Sequence, residues 1–369
     1  MGMALSLQTE NPLALEASNR RNVTSEEIDS AMTWAKGLNL NTYTDLIFGL
    51  PHETRDSFVE VLDKSIERGF DEIAIQNLKL MDGIEMNRPS FRKTYNIKTK
   101  YRILRANYAK YNGTFLAEHD EIAVSSNSFT YEDFLEVRYI GFMFHTVLML
   151  DFQKLFIQFV RHLGIRPSKF FSQFCKPDRS GNWPEKYIRF LDDLRKEVEG
   201  ELYDTKEVMV ESAKKIYEAN GNNVVESFLI NTKFAGRLIY LEGNWIKKVF
   251  LRHLDDMMDQ NLSSDDRNLA SLLIDLGINE RVDLKKIGKK KPLNITYDVI
   301  EWKKNKFKEH LYNLKMPEKL IKFSTNKSQT LMIEGFNKRF VSYSDQYYYL
   351  QAMEYIRPRK FLLHTLSYE

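Results

Sequence analysis

Asp45-Leu46-Ile47-Phe48-Gly49-Leu50-Pro51-His52-Glu53-Thr54 is the stretch whose reading decides the fold. An apolar run, Leu46 to Phe48, stops at Gly49-Leu50-Pro51, and Glu53-Thr54 then open an amphipathic segment. A buried strand, a sharp turn and a helix start in that order form one corner of a parallel α/β sheet. Gly49 permits backbone angles closed to other residues, while Pro51 fixes its own φ and disfavours helix at Leu50. Thr54 is placed to cap the following helix, with Asp56 favourably in its first turn. Corners of this kind are where α/β folds bind ligands.

The same grammar extends to both sides. Met3, Leu5 and Leu7 alternate with Ala4, Ser6 and Gln8, which predicts a strand. Asn11-Pro12 starts a short helix, and Thr24-Ser25-Glu26-Glu27 reads as a capping box for a second, with Ile28, Met32 and Ala35 on its buried face. Tyr43–Phe48 is the next strand, Arg55–Arg68 the next helix closed by Gly69, and Ile73–Leu80 a third strand. Residues 1–80 therefore read strand–helix, strand–helix, strand, the alternation of right-handed parallel units. A core-like strand among the first residues is expected to belong to a larger sheet that needs neighbours at its edge.

Beyond Asn87 the periodicity weakens. Tyr95, Tyr101, Tyr108 and Tyr111 are interleaved with Arg92, Lys93, Lys98, Lys100, Arg102 and Lys110. We read them as amphipathic side chains covering a domain edge rather than a nucleic-acid surface. Glu121–Ser125 is expected as a short strand. Ser128 or Thr130 then caps a dense apolar helix, and helical patterns follow at Glu185–Glu199, Lys206–Glu218, Val224–Leu241, Trp245–Met258 and Asp266–Leu276. The expected organisation is an α/β portion over residues 1–128 and a mostly α-helical domain over 129–369.

Composition narrows the function classes. The 369 residues carry 54 basic and 51 acidic side chains, a balance of +3 that demands no nucleic-acid partner. The longest apolar stretch, Tyr139–Leu150, is interrupted by His145 and Thr146 and falls short of the ~20 residues of a membrane span. No basic region followed by a long apolar core opens the chain, so a cytoplasmic protein is expected. Cys175 is the only cysteine, so an internal disulfide is impossible, and so is a zinc or iron–sulfur site built from this chain's thiolates in the usual way.

Taken together, the motifs resemble the C-terminal part of a radical S-adenosylmethionine (SAM) barrel, most nearly in members with an N-terminal cobalamin-binding domain. The resemblance rests on Ser6-Leu7-Gln8-Thr9, Asn11-Pro12, Asn19-Arg20, Asp45–Thr54, Leu80–Met86 (LMDGIEM) and Phe91–Arg102, in order and at similar spacing. It implies the last units of a partial (β/α)6 barrel, a small-molecule substrate, and SAM, a 4Fe-4S cluster and cobalamin as cofactors of a complete enzyme. It also implies that Gln8 lies near SAM, that Arg20 pairs with the SAM carboxylate, and that Asp45 faces the ribose hydroxyls.

Taken singly, each has an ordinary explanation: a strand-end amide, a helix-end cation and a strand-entry acid. Asp82 and Ile84 depart from the Pro and Thr common in relatives, and the three cysteines that hold the cluster are missing. No catalytic residue and no metal ligand are therefore assigned within this chain. A preceding N-terminal half or a separate cluster-bearing chain is the expected partner, with a non-catalytic scaffold or partner subunit as the other reading.

Overall fold

The computed structural model of the chain describes residues 2–220, 229–259, 261–287, 290–356 and 362–369, with the side chains of 105, 106 and 220 outside the description. It is mixed α/β with small sheets, and its residues fall into two units. One is built from Met1–Gly141 with Asp193–Phe228, the other from Phe142–Asp192 with Leu229–Glu369.

The first unit opens with β1 (Gly2–Ala4), α1 (Pro12–Ala17), α2 (Ser25–Gly37), β2 (Asn41–Phe48), α3 (Arg55–Arg68) and β3 (Glu72–Asn77). The three strands form one parallel sheet in sequence order. The helix starts follow the sequence. Asn11 caps α1, Thr24 and Glu27 form a reciprocal capping box on α2, and Thr54 caps α3 with its side chain accepting from the Ser57 amide. Gly69 takes the left-handed conformation that closes α3.

Alternation along β2 sorts the faces of the sheet. Thr42, Thr44, Leu46 and Phe48 are buried, and Phe58 of α3 meets Phe48 edge-on with ring centroids 5.2 Å apart. Ile28, Met32 and Ala35 of α2 and Leu62 and Ile66 of α3 complete this helix-covered side. Tyr43, Asp45 and Ile47 occupy the other face beside Ala74 and Gln76, and Gln76 is exposed. A parallel sheet is ordinarily covered on both faces, so this half-open face is the feature that frames the site.

After β3 the chain runs into α4 (Pro89–Thr94) and a long hairpin of β4 (Lys98–Tyr111) and β5 (Thr114–Ser125). The expectation of one short strand at Glu121–Ser125 understated this element. Its alternation is masked by a register shift between Ile103 and Tyr108 and by charged side chains on both faces. Beyond the end of β3, Leu78–Leu80 pairs with β5, the Ala123 amide donating to Leu78 and the Leu80 amide to Glu121. Thr130, rather than Ser128, caps α5 (Tyr131–Phe144) in a reciprocal pair with Asp133. Residues from 193 onward return to this unit, and Tyr203 exchanges two backbone hydrogen bonds with Tyr101, each 2.8 Å.

The second unit is largely helical, including α6 (Lys154–His162), α7 (Pro167–Cys175), the start of α8 (Glu185–Gly200), α10 (Ile230–Gly236), α11 (Ile246–Met257) and α12 (Ser264–Asn279), while α9 (Lys206–Asn220) belongs to the first unit. It also carries an unanticipated antiparallel sheet of β6 (Leu293–Tyr297), β7 (Lys315–Ser324) and β8 (Thr365–Tyr368). The sequence reading placed a helix over Val224–Leu241; residues 224–228 lie outside the described residues, and helix is present from Ile230. Among the described residues no single helix is long and apolar enough to cross a membrane. Phe170, Phe174, Tyr187, Trp245, Phe250 and the fully buried His253 form an aromatic core. The His253 Nε2 lies 3.0 Å from the Tyr187 hydroxyl, which itself donates to the Phe174 carbonyl.

Two measurements follow from this packing. Phe48→Ala should cost the first unit ~3–5 kcal/mol, the range for emptying an aromatic core position, read as a fall in urea midpoint at constant slope. Burial, aided by Arg252, pushes the His253 imidazole down to about 3. The unfolded chain therefore takes up a proton near pH 6.5 that the folded chain refuses. That part of the stability is present above pH 6.5 and is lost as pH falls from there towards 3. A His253→Gln variant whose stability falls as steeply as wild type over that window would refute the assignment.

Candidate functional site

The carboxyl ends of the three parallel strands open into a cleft of about 500 Å³. Gln8, Ile47, Leu50 and the run Gln76–Lys79 form its floor, and Ala17, Ser18 and Arg20 form one wall. Met81, Ile84, Glu85 and Met86, with Phe91 of α4, form the other. The volume suits a small ligand, and the lining is apolar with a few polar groups, the usual composition of such a site.

Each wall is fixed by identifiable bonds. The chain leaves β1 but stays beside β2 as far as Gln8, whose amide donates to the Asp45 carbonyl at 2.8 Å and whose carbonyl accepts from Ile47 at 2.7 Å. Gln8 adopts φ +58°, a conformation uncommon for a residue with a Cβ and one that concentrates at functional positions. Gly49 makes the turn below it at φ +105°, where a Cβ would come within 3.2 Å of the Leu78 Cβ. The Asn22 amide nitrogen clips the Arg20 segment down by donating to the carbonyls of Leu7 at 2.8 Å and Thr9 at 2.5 Å. On the opposite wall, the Arg92 guanidinium donates to Asn87 at 3.1 Å, Thr99 at 2.9 Å and Glu121 at 2.6 Å, tying the loop before α4 to the hairpin.

Beneath the cleft lies a residue the sequence reading treated only as a helix opener. Glu53 is fully buried, and its carboxylate accepts hydrogen bonds from the hydroxyls of Thr9 and Ser57. Burial raises its pKa, and the two hydroxyls offset only part of that rise. Thr9 also accepts from the Asn11 amide at 3.0 Å, and Asn11 reaches the His52 carbonyl at 2.9 Å. Glu53 thereby joins the end of the first strand segment to the β2–α3 corner. The signal available in the sequence was its place directly after Pro51-His52, with hydroxyl residues at 54 and 57.

The three sequence-derived candidates are distributed as follows. Gln8 and Arg20 both line the cleft. Arg20 is exposed, and its guanidinium has no ion-pair or hydrogen-bond partner among the described residues. Asp45 does not line it. It lies on the same face of β2 as Ile47 but two residues earlier, roughly 7 Å back along the strand. The polar lining residues to which the sequence assigns no site role are Ser18 and Glu85 together with Gln76, Asn77 and Lys79, the last three lying at the end of the expected third strand.

No family model matches the chain. Over 100 residues, 27% of the chain, it is 30% identical to the cobalamin-dependent radical SAM methyltransferase TokK of Streptomyces tokunonensis. A match of the same extent and identity links it to the 2-(S-pantetheinyl)-carbapenam-3-carboxylate methyltransferase of Streptantibioticus cattleyicolor. Each match spans 15% of the relative's length. This likeness supports a radical SAM-related family at most.

The chain's residues do not fit a cluster. Among the described residues no three His, Cys, Asp or Glu side chains are grouped to hold a metal ion. The single thiol, Cys175, lies at the end of α7, whereas an Fe–S cluster takes several thiolates together. SAM differs: Arg20, without a partner among the described residues, suits its carboxylate, the side-chain amides of Gln8, Gln76 and Asn77 suit its amino and hydroxyl groups, and the apolar lining suits its carbon chain.

The buried Glu53 gives a pH test. Its raised pKa means that the folded chain holds a proton the unfolded chain has released. The associated stability is complete below the ordinary glutamate range and is lost as pH rises through the folded value. Wild type should therefore lose stability relative to Glu53→Gln between mildly acidic and neutral pH in paired urea titrations. A difference between the two proteins that does not change with pH would rule out the raised pKa.

Proposed function

We propose that the first unit is the ligand-holding part of a SAM-dependent site in a radical SAM-related enzyme, formed on the last units of a partial (β/α)6 barrel. The observation that carries this reading is that Arg20, without a partner among the described residues, and Gln8 line one cleft at the carboxyl ends of three parallel strands. Arg20 would hold the SAM carboxylate as a guanidinium fork, and Gln8 would orient the ligand from the strand end. Asp45 would supply an acceptor for hydroxyls that reach past Ile47. SAM would bring an activated sulfonium, and the chain's contribution is to bind it, orient it and keep it against the apolar wall of Met81 and Met86.

The names of both relatives describe methyltransferases, so we propose methyl transfer to a small-molecule substrate as the activity of the complete enzyme. The reading requires cluster ligands and a cobalamin site from a preceding segment or a separate polypeptide, because Cys175 is the only thiol available. A second reading, a non-catalytic partner subunit derived from such a barrel, is favoured by that same lone cysteine.

The test is a SAM titration of the full chain followed through isotope-labelled methionine methyl groups, since Met81 and Met86 line the cleft. Both methyl signals should shift, with a dissociation constant weaker than micromolar because only part of the site is present. Arg20→Ala should weaken binding by ~1.5–3 kcal/mol, the range for a hydrogen bond to a charged group. An unchanged constant would remove Arg20 from the site. No shift at millimolar SAM would favour the non-catalytic reading.

A further inference from the structure

Lys79 closes one end of a chain of alternating charges within the first unit. Its ammonium lies 2.9 Å from Oδ2 of Asp120, and the Arg102 guanidinium lies 2.9 Å from the same oxygen. Arg102 is also 3.7 Å from Glu201, which pairs in turn with Arg138. The sequence of charges is therefore plus, minus, plus, minus, plus, with three cations against two carboxylates. Within these five described side chains one positive charge is left over.

The excess is not spread evenly. Side-chain exposure falls from 36% at Lys79 to 22% at Arg102 and 14% at Arg138, and Asp120 is 9% exposed. Lys79 alone among the five lines the cleft, whose lining also includes Gln76 and Asn77. Neutralising Asp120 does not explain Lys79, because Arg102 already makes a charge-assisted bond to the same oxygen. Glu85, the acidic residue among the described cleft lining, makes no ion pair with Lys79 and lies 3.9 Å from Arg88. A partly desolvated cation with surplus charge, lining a cleft that also holds two carboxamide side chains, matches an anionic group of a ligand.

We propose that Lys79, with Gln76 and Asn77, forms an anion subsite that binds a carboxylate or phosphate group of the small-molecule substrate. The assignment of that anion to a substrate rests on the proposed SAM-dependent site, where Arg20 is already committed to the SAM carboxylate. The subsite itself rests only on the charge chain and the cleft. The register of the Leu78–Leu80 segment against β5 holds Lys79 in place, so the subsite depends on the hairpin as well as on the parallel sheet.

The test uses the full chain with succinate and inorganic phosphate as probes and neutral succinamide as control, read through the Met81 and Met86 methyl signals. Succinate or phosphate should shift them and succinamide should not, and the preferred probe distinguishes a carboxylate from a phosphate ligand. Lys79→Gln should weaken the anion response about tenfold or more, the loss expected for one charge-assisted bond, and Lys79→Arg should retain it. Lys79→Gln leaves Asp120 paired with Arg102, so loss of the response does not report unfolding. Loss in Arg20→Ala with retention in Lys79→Gln, or an equal response to succinamide, would overturn the subsite. A Lys79-dependent anion response without any SAM binding would remove the SAM reading and leave the subsite standing. SAM binding with no Lys79 dependence of the anion response would do the reverse.

Discussion

The buried carboxylate of Glu53 is the constraint on which the geometry of the cleft depends. A carboxyl group without solvent is costly unless its oxygens are hydrogen-bonded, and here two hydroxyls come from different parts of the chain. Thr9 follows the candidate ligand Gln8 directly, and Ser57 lies in the first turn of α3. Bringing them to one carboxyl group fixes the end of the first strand segment relative to the β2–α3 corner. Asn11 and Asn22 extend the same brace, one to the His52 carbonyl and the other to the carbonyls of Leu7 and Thr9. The left-handed conformation of Gln8 persists because the bonds on either side of it leave the backbone no other path.

That brace operates on a sheet with two unlike faces. Phe48, Leu46 and Thr44 pack beneath the helices, while Tyr43, Asp45, Ile47 and Gln76 occupy a side that is only half covered. The covered face supplies the apolar burial that holds the strands parallel, at roughly 25 cal/mol for each Å² removed from water. The other face contributes less to stability and is correspondingly free to present polar groups. A ligand at the carboxyl ends therefore meets a rigid floor without displacing core side chains. Rigidity of the floor matters more here than the number of contacts, because Arg20 and Lys79 approach from segments with separate anchors, Asn22 for one and β5 for the other.

Much of this was legible in the sequence because local chemistry and fold agree. The caps at Asn11, Thr24 and Thr54, the left-handed Gly69 and the turn at Gly49-Leu50-Pro51 are each set by residues within a few positions, and each formed where read. Gln8 and Arg20 could be singled out because the motifs that carry the resemblance surround them. What escaped detection depends on distant partners. The β4–β5 hairpin has charged residues on both faces and an irregular register, so no period-2 pattern marks its full length. The pairing of Tyr203 with Tyr101 joins residues about a hundred positions apart and leaves no local trace. Glu53 and Lys79 look like an ordinary helix opener and a strand-end cation until burial gives one a raised pKa and the other an unbalanced charge.

Charge also limits how the cleft could work on the proposed reading. SAM carries a sulfonium, an ammonium and a carboxylate, and so has one net positive charge. A cleft lined by Arg20 and by the surplus cation of Lys79 attracts only the carboxylate end, and like charges ~4 Å apart near a protein surface oppose each other by about 4 kcal/mol before screening. Arg20 can hold that carboxylate, yet the sulfonium then enters a field that Lys79 keeps positive. An anionic substrate group on Lys79 removes that field. The two ligands would consequently favour each other's binding, with a coupling that salt weakens because Arg20 is exposed and Lys79 is partly exposed. Asp45, two residues behind Ile47 and outside the cleft lining, adds negative charge on the same face, and on this reading it would accept from ligand hydroxyls that extend past Ile47.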